Sequence, residues 1–433
     1  MARRLKHRAE KEKLSRSVNC PSSLKHGWVQ ARVGDILKIR NGYAVKSSDY
    51  SREGIPLIRQ SDINGDTIDI STAKRVPIRV MEECGQYLVR KGDLLIGMSG
   101  SLGKIGRYVD DEVAIQNQRT GLLQVKPGFT AGFAKLVLKL VEQQIIAEGK
   151  GVAVQNVSAK EIEDCTFPLP PEGECERVVE EIEKQFTRLD SGVASLKRVH
   201  TALKRYRASV LKAACEGRLI NNAGVKMWKK LELSNVCKSI SDGDHQPPPQ
   251  QKEGVAFLTI GNISDGRLDF TNTRFVSGSY FAAIKTDRKA QRGDVLYSVV
   301  GASIGIPVVV ETDEPFCFQR HIAILKPSSD LSSRFLWILM ANPDFRREAW
   351  QRITGSAQPT LPLGNLRRML VSIPPLAEQQ RIVTEVERRL SLIDGLEAGV
   401  AANLQRATRL RQSILQLAFE GSSLAGDHYE NRR

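Results

Sequence analysis

The segment Gly97-Met98-Ser99-Gly100-Ser101-Leu102-Gly103-Lys104-Ile105 carries the glycines and the lysine that a phosphate-binding loop would use. Such a loop needs Ser or Thr after the Lys to hold magnesium, and its first Gly one position later. Ile105 stands where that hydroxyl belongs, and the related segment Gly301-Ala302-Ser303-Ile304-Gly305-Ile306 has no Lys at all. A β-turn is expected here, not a nucleotide site. The seven cysteines (Cys20, Cys84, Cys165, Cys175, Cys215, Cys237, Cys317) are scattered, with no C-x-x-C pair and no His at zinc-ligand spacing. Free thiols in a reducing compartment are the expectation. No Ser/His/Asp constellation and no paired carboxylates stand out. The chain reads as a non-enzyme, with no catalytic residue, metal site or cofactor of its own.

What remains is polar loop chemistry on a basic chain. The formal net charge of +15 points to a polyanionic partner, because Lys and Arg gain most where they displace counterions from phosphates. Reading bases needs Arg, Lys, Asn, Gln or His able to reach groove edges. Candidates lie in matching loops of two halves. In the first they are Arg59, Gln60, Asp62, Asn64, Lys104, Gln116, Asn117, Gln118 and Arg119; in the second, Asn262, Ser264, Ser303, Gln319, Arg320 and His321. Gln246 and Gln358 have weaker claims. The Gln-Arg pair occurs in both halves, and two readings of it stay open: a base contact, or a brace inside each domain. Lys197, Arg198, Lys204, Arg205, Arg406, Arg409 and Arg411 fall on helical stretches and read as a solvated face, with contact to a nucleic-acid backbone or to a partner's acidic surface as the alternatives.

Those loops belong to a chain written twice. Trp28 is matched by Trp228, Ile55-Pro56-Leu57-Ile58 by the run ending Ala256-Phe257-Leu258, and Lys91-Gly92-Asp93-Leu94-Leu95 by Arg292-Gly293-Asp294-Val295-Leu296. Gln118-Arg119 pairs with Gln319-Arg320, Val125-Lys126-Pro127 with Leu325-Lys326-Pro327, and Leu169-Pro170-Pro171 with Ile373-Pro374-Pro375. Each unit opens with short β-rich runs such as Asp93–Met98 and Val295–Val300, then a helical stretch, Ala134–Ile146 or Ser333–Leu339. A mixed α/β (α+β) domain with a curved sheet is expected.

A long helix then starts behind each Pro pair. Apolar residues recur every three or four positions: Ile182, Phe186, Leu189, Val193, Leu196, Val199, Leu203, Tyr206 and Val210 in one copy. In the other they are Val386, Leu390, Ile393, Leu396, Val400, Leu404, Ala407, Leu410, Ile414 and Leu417. That is a coiled-coil seam, and helices of about 45 residues would run about 65–70 Å. Glutamates crowd the first helix's start and Lys/Arg its end, as the helix dipole favours; Gly217 suits the stop. The fold expected is two similar globular domains separated by two long helices that form an antiparallel intramolecular coiled coil. Its boundaries read as a basic N-terminal extension 1–26, domain one 27–171, helix one 172–220, linker 221–227, domain two 228–375, helix two 376–422 and tail 423–433. Residues 1–26 hold eight Lys/Arg and no apolar core, so no secretory signal is expected. Val295–Val310, broken by Gly301, Ser303, Gly305 and Pro307, should not span a membrane. A cytoplasmic protein is expected.

Several features together resemble the DNA-specificity subunit of type I restriction-modification enzymes: Trp28…Gly34-Asp35-Ile36, the K/R-G-D-L/V-L run, Pro-Pro ahead of Glu378-Gln379-Gln380-Arg381-Ile382, and the ending Leu410-Arg411-Gln412-Ser413-Ile414-Leu415-Gln416-Leu417-Ala418-Phe419-Glu420-Gly421. The likeness runs from about Trp28 to Gly421. It implies two target-recognition domains on double-stranded DNA, reading a bipartite asymmetric site. It also implies assembly with two methyltransferase subunits and with restriction/translocase subunits, S-adenosylmethionine, ATP and Mg being held by those partners for adenine N6 methylation and cleavage. One departure stands out. Glu172-Gly173-Glu174-Cys175-Glu176 replaces the Leu376-Ala377-Glu378-Gln379-Gln380 pattern, which is expected to weaken one partner contact. Asn342-Pro343-Asp344-Phe345 has the letters of an adenine-methylase loop, but no Gly-rich cofactor loop precedes it and a helix-terminating turn is expected. The rival class is a scaffold whose domains bind proteins with the coiled coil as spacer; an orphan subunit serving a methyltransferase without restriction is the other alternative.

Overall fold

The structure, a computed structural model, describes residues 24, 26–80, 85–100, 102–149, 155–220, 228–243, 248–264, 266–355 and 358–420. Cys20, Cys84, Ser101, Gln246, the side chain of Ser264 and nearly all of segments 1–26, 221–227 and 421–433 lie outside the described residues. The chain divides into two compact units: Met1–Ala194 with Leu404–Arg433, and the unbroken run Ser195–Asn403. Each unit holds one globular domain and part of each long helix.

In the first unit the elements are β1 (Val29–Arg32), β2 (Leu37–Asn41), β3 (Ile55–Ile58), β4 (Leu94–Gly97), β5 (Ile105–Tyr108), β6 (Ala114–Gln116), β7 (Thr120–Val125), α1 (Ala131–Leu140), α2 (Glu142–Glu148), β8 (Thr166–Leu169) and the start of α3 (Glu174–Cys215). The single helical stretch expected over Ala134–Ile146 is therefore two helices, with Val141 between them. Strands β2, β7, β4 and β5 lie side by side, each antiparallel to its neighbour, while β3 and β6 pair in parallel in a second small sheet. β4 is buried along its whole length, and its residues alternate between two cores. Leu94 and Ile96 join Phe133, Leu136 and Val137 of α1. Leu95 turns to Ile58, Tyr108 and Leu122 on the other side. With both faces covered, the strand reads as a continuous apolar run instead of an alternating one.

The second unit repeats the plan: β9 (Lys229–Glu232), β10 (Cys237–Asp242), β11 (Val255–Leu258), β12 (Val295–Ser298), β13 (Pro307–Val309), β14 (Phe316–Phe318), β15 (Ile322–Pro327), α4 (Ser333–Ala341), α5 (Pro343–Gln351), β16 (Leu370–Ile373) and the start of α6 (Leu376–Phe419). β11 and β14 form its parallel pair. Val295 and Tyr297 of β12 face the helix side and Leu296 the other. The recurring Gly-Asp motif is part of this scaffold. Asp93 accepts the backbone N–H of Arg90 at 2.8 Å and Asp294 that of Gln291 at 2.8 Å. Gly92 and Gly293 take the left-handed backbone, φ 98° and 91°, which the turn demands.

The helices pair antiparallel inside each unit. In the first, Arg411 ion-pairs with Asp190 and lies 4.3 Å from the centroid of the Phe186 ring. In the second, Arg207 reaches Asp394 and, at 2.9 Å, Glu397. Arg207 and Asp394 are the repeat counterparts of Arg411 and Asp190, so one clamp was duplicated with everything else. Much of the seam is as the periodicity predicts: Ile182, Leu203, Val210, Val386, Ile393, Val400, Ala407 and Ile414 are buried. Val199, Tyr206, Leu396, Leu410 and Leu417 are instead exposed. Two paired helices cover only a narrow stripe, and 3.6 residues per turn carries a three-or-four spacing off that stripe.

The Cys175/Gln379 difference proves to be internal. Gln379 is fully buried: its Oε1 accepts the Ser332 N–H at 2.8 Å, and its Nε2 donates to the carbonyls of Asp330 at 2.8 Å and Pro374 at 2.9 Å. It locks the start of α6 to the domain, and Trp228 adds a 2.9 Å hydrogen bond from Nε1 to Glu378. Cys175 offers no such donor and acceptor, and the Trp28 Nε1 is buried with no partner among the described residues. The first unit holds its helices by rings instead: Phe419 packs against Trp28, Phe133 and Phe167 at 6.5, 5.9 and 6.4 Å between centroids. The repeat departure therefore exchanges a polar lock for an aromatic one. Gln379→Ala is expected to cost the second unit about 2–3 kcal/mol, because it orphans a buried N–H and two carbonyls. Denaturant unfolding checks it, with Cys175→Ala as the milder counterpart.

Candidate nucleic-acid interface

Parallel pairing of β3 with β6, and of β11 with β14, sends the loops that follow both strands out over the same edge of the domain. In the first unit this edge carries a cleft of about 600 Å³. Its walls are Arg59, Gln60 and Ser61 after β3, Ser99, Gly100 and Lys104 between β4 and β5, and the turn Asn117-Gln118-Arg119 after β6, with Val45 and Tyr50 alongside. Six of the nine candidates predicted for this half meet here. In the second unit the corresponding edge holds a smaller cleft of about 320 Å³, lined in part by Asp242, Arg320, His321, Gln358 and Thr360.

The remaining candidates have other jobs. Asp62 is buried; its carboxylate accepts the Arg59 backbone N–H at 2.8 Å and holds the Arg59 guanidinium at 3.3 Å. Asn262 is its counterpart, accepting from the Thr259 N–H at 2.9 Å and donating to Asp269 O at 3.0 Å. Both fasten a short 3-10 turn and are corrected from base readers to turn braces. Gln116 is fully buried, its Nε2 donating to Arg40 O at 2.9 Å and Thr120 O at 2.7 Å, so it braces β6 against the main sheet. Asn64 is exposed but does not line the cleft. Ser303 accepts, through its carbonyl, from the Ser298 hydroxyl and lies off the second cleft. Gln319 sits half-buried at the start of the second turn.

Hydrogen bonding also resets the alignment of the halves. Asn117 N–H donates to Ile58 O at 3.0 Å, and Gln319 N–H donates to Leu258 O at 3.2 Å. Met98 N–H meets Arg119 O, and Val299 N–H meets His321 O, each at 3.0 Å. Asn117 therefore corresponds to Gln319, Gln118 to Arg320, and Arg119 to His321. The Gln-Arg pairs that look alike in sequence are out of step by one residue. The same logic sets Lys104 against Ile306 and Arg59 against Thr259. Where the first cleft has three cations, the second has Arg320 and a histidine. Burial, helped by the Arg320 charge, holds the His321 imidazole below its ordinary value, so it is neutral at pH 7 and can both donate and accept.

The described residues between Gly97 and Ile105 bond as a connection between strands, not as a nucleotide-binding loop. Gly97 N–H donates to Lys104 O at 2.8 Å and Gly103 N–H to Gly97 O at 3.1 Å, so these amides serve a connection between two antiparallel strands. No helix follows to hold a phosphate. Asn342 ends α4 and also caps α5, its side chain accepting from the Asp344 N–H at 3.1 Å. Among the described residues no helix is long and apolar enough to cross a membrane.

Comparison with known proteins agrees with this layout. A family model described as the type I restriction modification DNA specificity domain matches twice, over residues 25–205 and 226–405. The specificity subunit of the type I restriction enzyme EcoBI of Escherichia coli is 28% identical over 97% of this chain and 91% of its own length. The EcoKI specificity subunit of Escherichia coli K12 is 24% identical over 94% and 92%. Among solved structures, a chain from work on complex assembly and conformational transition of the type I R-M system shares the fold with a TM-score of 0.69 at 20% identity, covering 93% of this chain and 100% of that one. The HsdS subunit of Thermoanaerobacter tengcongensis has a TM-score of 0.52 at 20% identity over 93% and 99%. With the domain model filling both halves of a chain that folds as two copies of one plan, the protein belongs to the family of type I restriction-modification specificity subunits.

Proposed function

We propose that this chain recognises double-stranded DNA at a bipartite, asymmetric site, one half-site per globular domain, and performs no bond chemistry itself. The observation that carries the reading is the duplicated cleft edge. Gln118, Arg119, Lys104, Arg320 and Gln358 stand there with no side-chain hydrogen bond or ion pair to another described residue, while their neighbours Asp62, Asn262 and Gln116 are consumed by the scaffold. Unpaired amide and guanidinium groups on an edge are what base edges and phosphates require. Because the two clefts differ at nearly every equivalent position, the half-sites they select should differ as well.

In this reading α3 and α6, unbroken over 42 and 44 residues, fix the gap between half-sites and dock two methyltransferase subunits. Adenine N6 methylation would then use S-adenosylmethionine held by those partners, with ATP and Mg on restriction/translocase subunits, in the cytoplasm. The test is to map methylated adenines across the genome with and without this chain. Deletion should erase one gapped, non-palindromic motif and no other; an unchanged methylation map in cells expressing the partner subunits overturns the reading.

A further inference from the structure

The one-residue offset between the two turns has a consequence for which bases are chosen. We infer that base discrimination is concentrated in the last two residues of the turn after the parallel strand. These are Gln118 and Arg119 in the first domain and Arg320 and His321 in the second, with each arginine selecting a guanine. The inference rests on the DNA-recognition reading above and deepens it.

Four observations lead here. First, these positions line both clefts, whereas Lys104 and Arg59 are replaced by Ile306 and Thr259 in the second domain and cannot supply a shared reading device. Second, the side chains of the last two positions take no part in holding the turn. Asn117 N–H to Ile58 O, Thr120 N–H to Asn117 O at 3.0 Å and Gln118 N–H to Tyr43 O at 2.9 Å fix its path in the first domain; Gln319 N–H to Leu258 O and Ile322 N–H to Gln319 O at 3.1 Å do so in the second. The side chains at the last two positions can therefore vary without loss of the fold. Third, the first position is not equivalent: Asn117 is buried and its Oδ1 accepts the Arg119 N–H at 3.2 Å, so it shapes the turn. Fourth, Arg119 and Arg320 are exposed and unpaired, while Arg59 is tied to buried Asp62. A free guanidinium presents two parallel donors to the O6 and N7 acceptors of guanine; an amide side chain instead matches adenine. Lys104, a single mobile charge, suits a phosphate.

The experiment uses the complete chain assembled with its methyltransferase subunits and reads the methylated motif for wild type, Arg119→Gln and Arg320→Gln. Wild type should give a gapped motif with a guanine in each half. Arg119→Gln should lower the preference for that guanine in one half by about tenfold to a hundredfold, leaving the other half and the gap unchanged. Arg320→Gln should do the same to the opposite half. Thermal unfolding of each variant at the wild-type temperature excludes misfolding as the cause. If either variant keeps the wild-type base preference, or slows methylation equally at every sequence, the inference is overturned while the recognition reading stands. If wild type itself yields no gapped motif, the recognition reading falls and takes the inference with it.

Discussion

Replacing Phe419 with Ala should lower the stability of the first unit by about 3–5 kcal/mol and leave the second nearly untouched. The ring is 1% exposed and stands among Trp28, Phe133 and Phe167, with Ile182 of α3 and Ile414 of its own helix in the same core. Removing it leaves a cavity that rigid aromatic neighbours cannot close. It also loosens the unit at a place where no counterpart of Gln379 stands in reserve. Hydrogen exchange followed separately for peptides of 26–190 and 228–370 reads the two units independently, since one melting temperature would not describe them both. Leu417→Ala, two residues away but exposed, should fall within about 0.5 kcal/mol of wild type. Equal loss of protection in both units, or equal effects of the two substitutions, would contradict the assignment of Phe419 to the first core.

The second large effect is expected at Gly42 and Gly243. A Cβ on Gly42 would stand 2.2 Å from Asn117 O and 2.6 Å from Gln116 O; on Gly243 it would stand 2.1 Å from Phe318 O. These are backbone atoms at the start of the very turns proposed to read DNA, so they cannot step aside as a side-chain tip would. Gly42→Ala or Gly243→Ala should cost about 2–3 kcal/mol through forced separation of the strands. It should also cut affinity for the matching half-site at least tenfold as the turn is displaced. Gly395→Ala provides the opposite sign: this helical glycine has nothing within 4 Å of a new Cβ, and the change should stabilise by up to about 1 kcal/mol. Binding to DNA with one half-site scrambled separates the two domains. A Gly42→Ala protein that binds and unfolds like wild type would refute the close approach.

How much of this was legible in the sequence depends on what a residue is for. Scaffold residues repeat, because the same backbone geometry must be satisfied twice: Gly92-Asp93 and Gly293-Asp294, the tryptophans, the Pro pairs, Arg207 and Arg411. The duplicated α/β plan was read from the repeated Gly-Asp, Trp and Pro-Pro positions and the paired helices from their apolar spacing, whereas the Arg207 and Arg411 clamp shows only in the structure. The residues proposed to read DNA do not repeat, and so could be located only by which strand they follow. Aligning Gln118-Arg119 with Gln319-Arg320 matched letters, but the bond from Asn117 or Gln319 to the parallel strand sets the true register. Lys126 and Lys326 diverge for the same reason. Lys126 Nζ donates to Gly34 O at 2.6 Å; Lys326 Nζ lies 2.8 Å from Lys289 O and pairs with Asp294. Asp62, Asn262 and Gln116 were misread because groups that suit a base edge also suit the inside of a turn, and only burial tells the two apart.

The split composition of the first unit bears on the order in which the protein is made. A ribosome releases the second unit whole once residue 403 has emerged, but the earlier-made domain still lacks Ile414, Leu415, Ala418 and Phe419, which close its core. Chains usually mature from the front. Here the front half must wait, its core open on the α6 side, until residues 414–419 have been made and have emerged, and a nascent chain arrested so that residue 403 but not residue 414 has left the ribosome should present a finished rear half and an open front one.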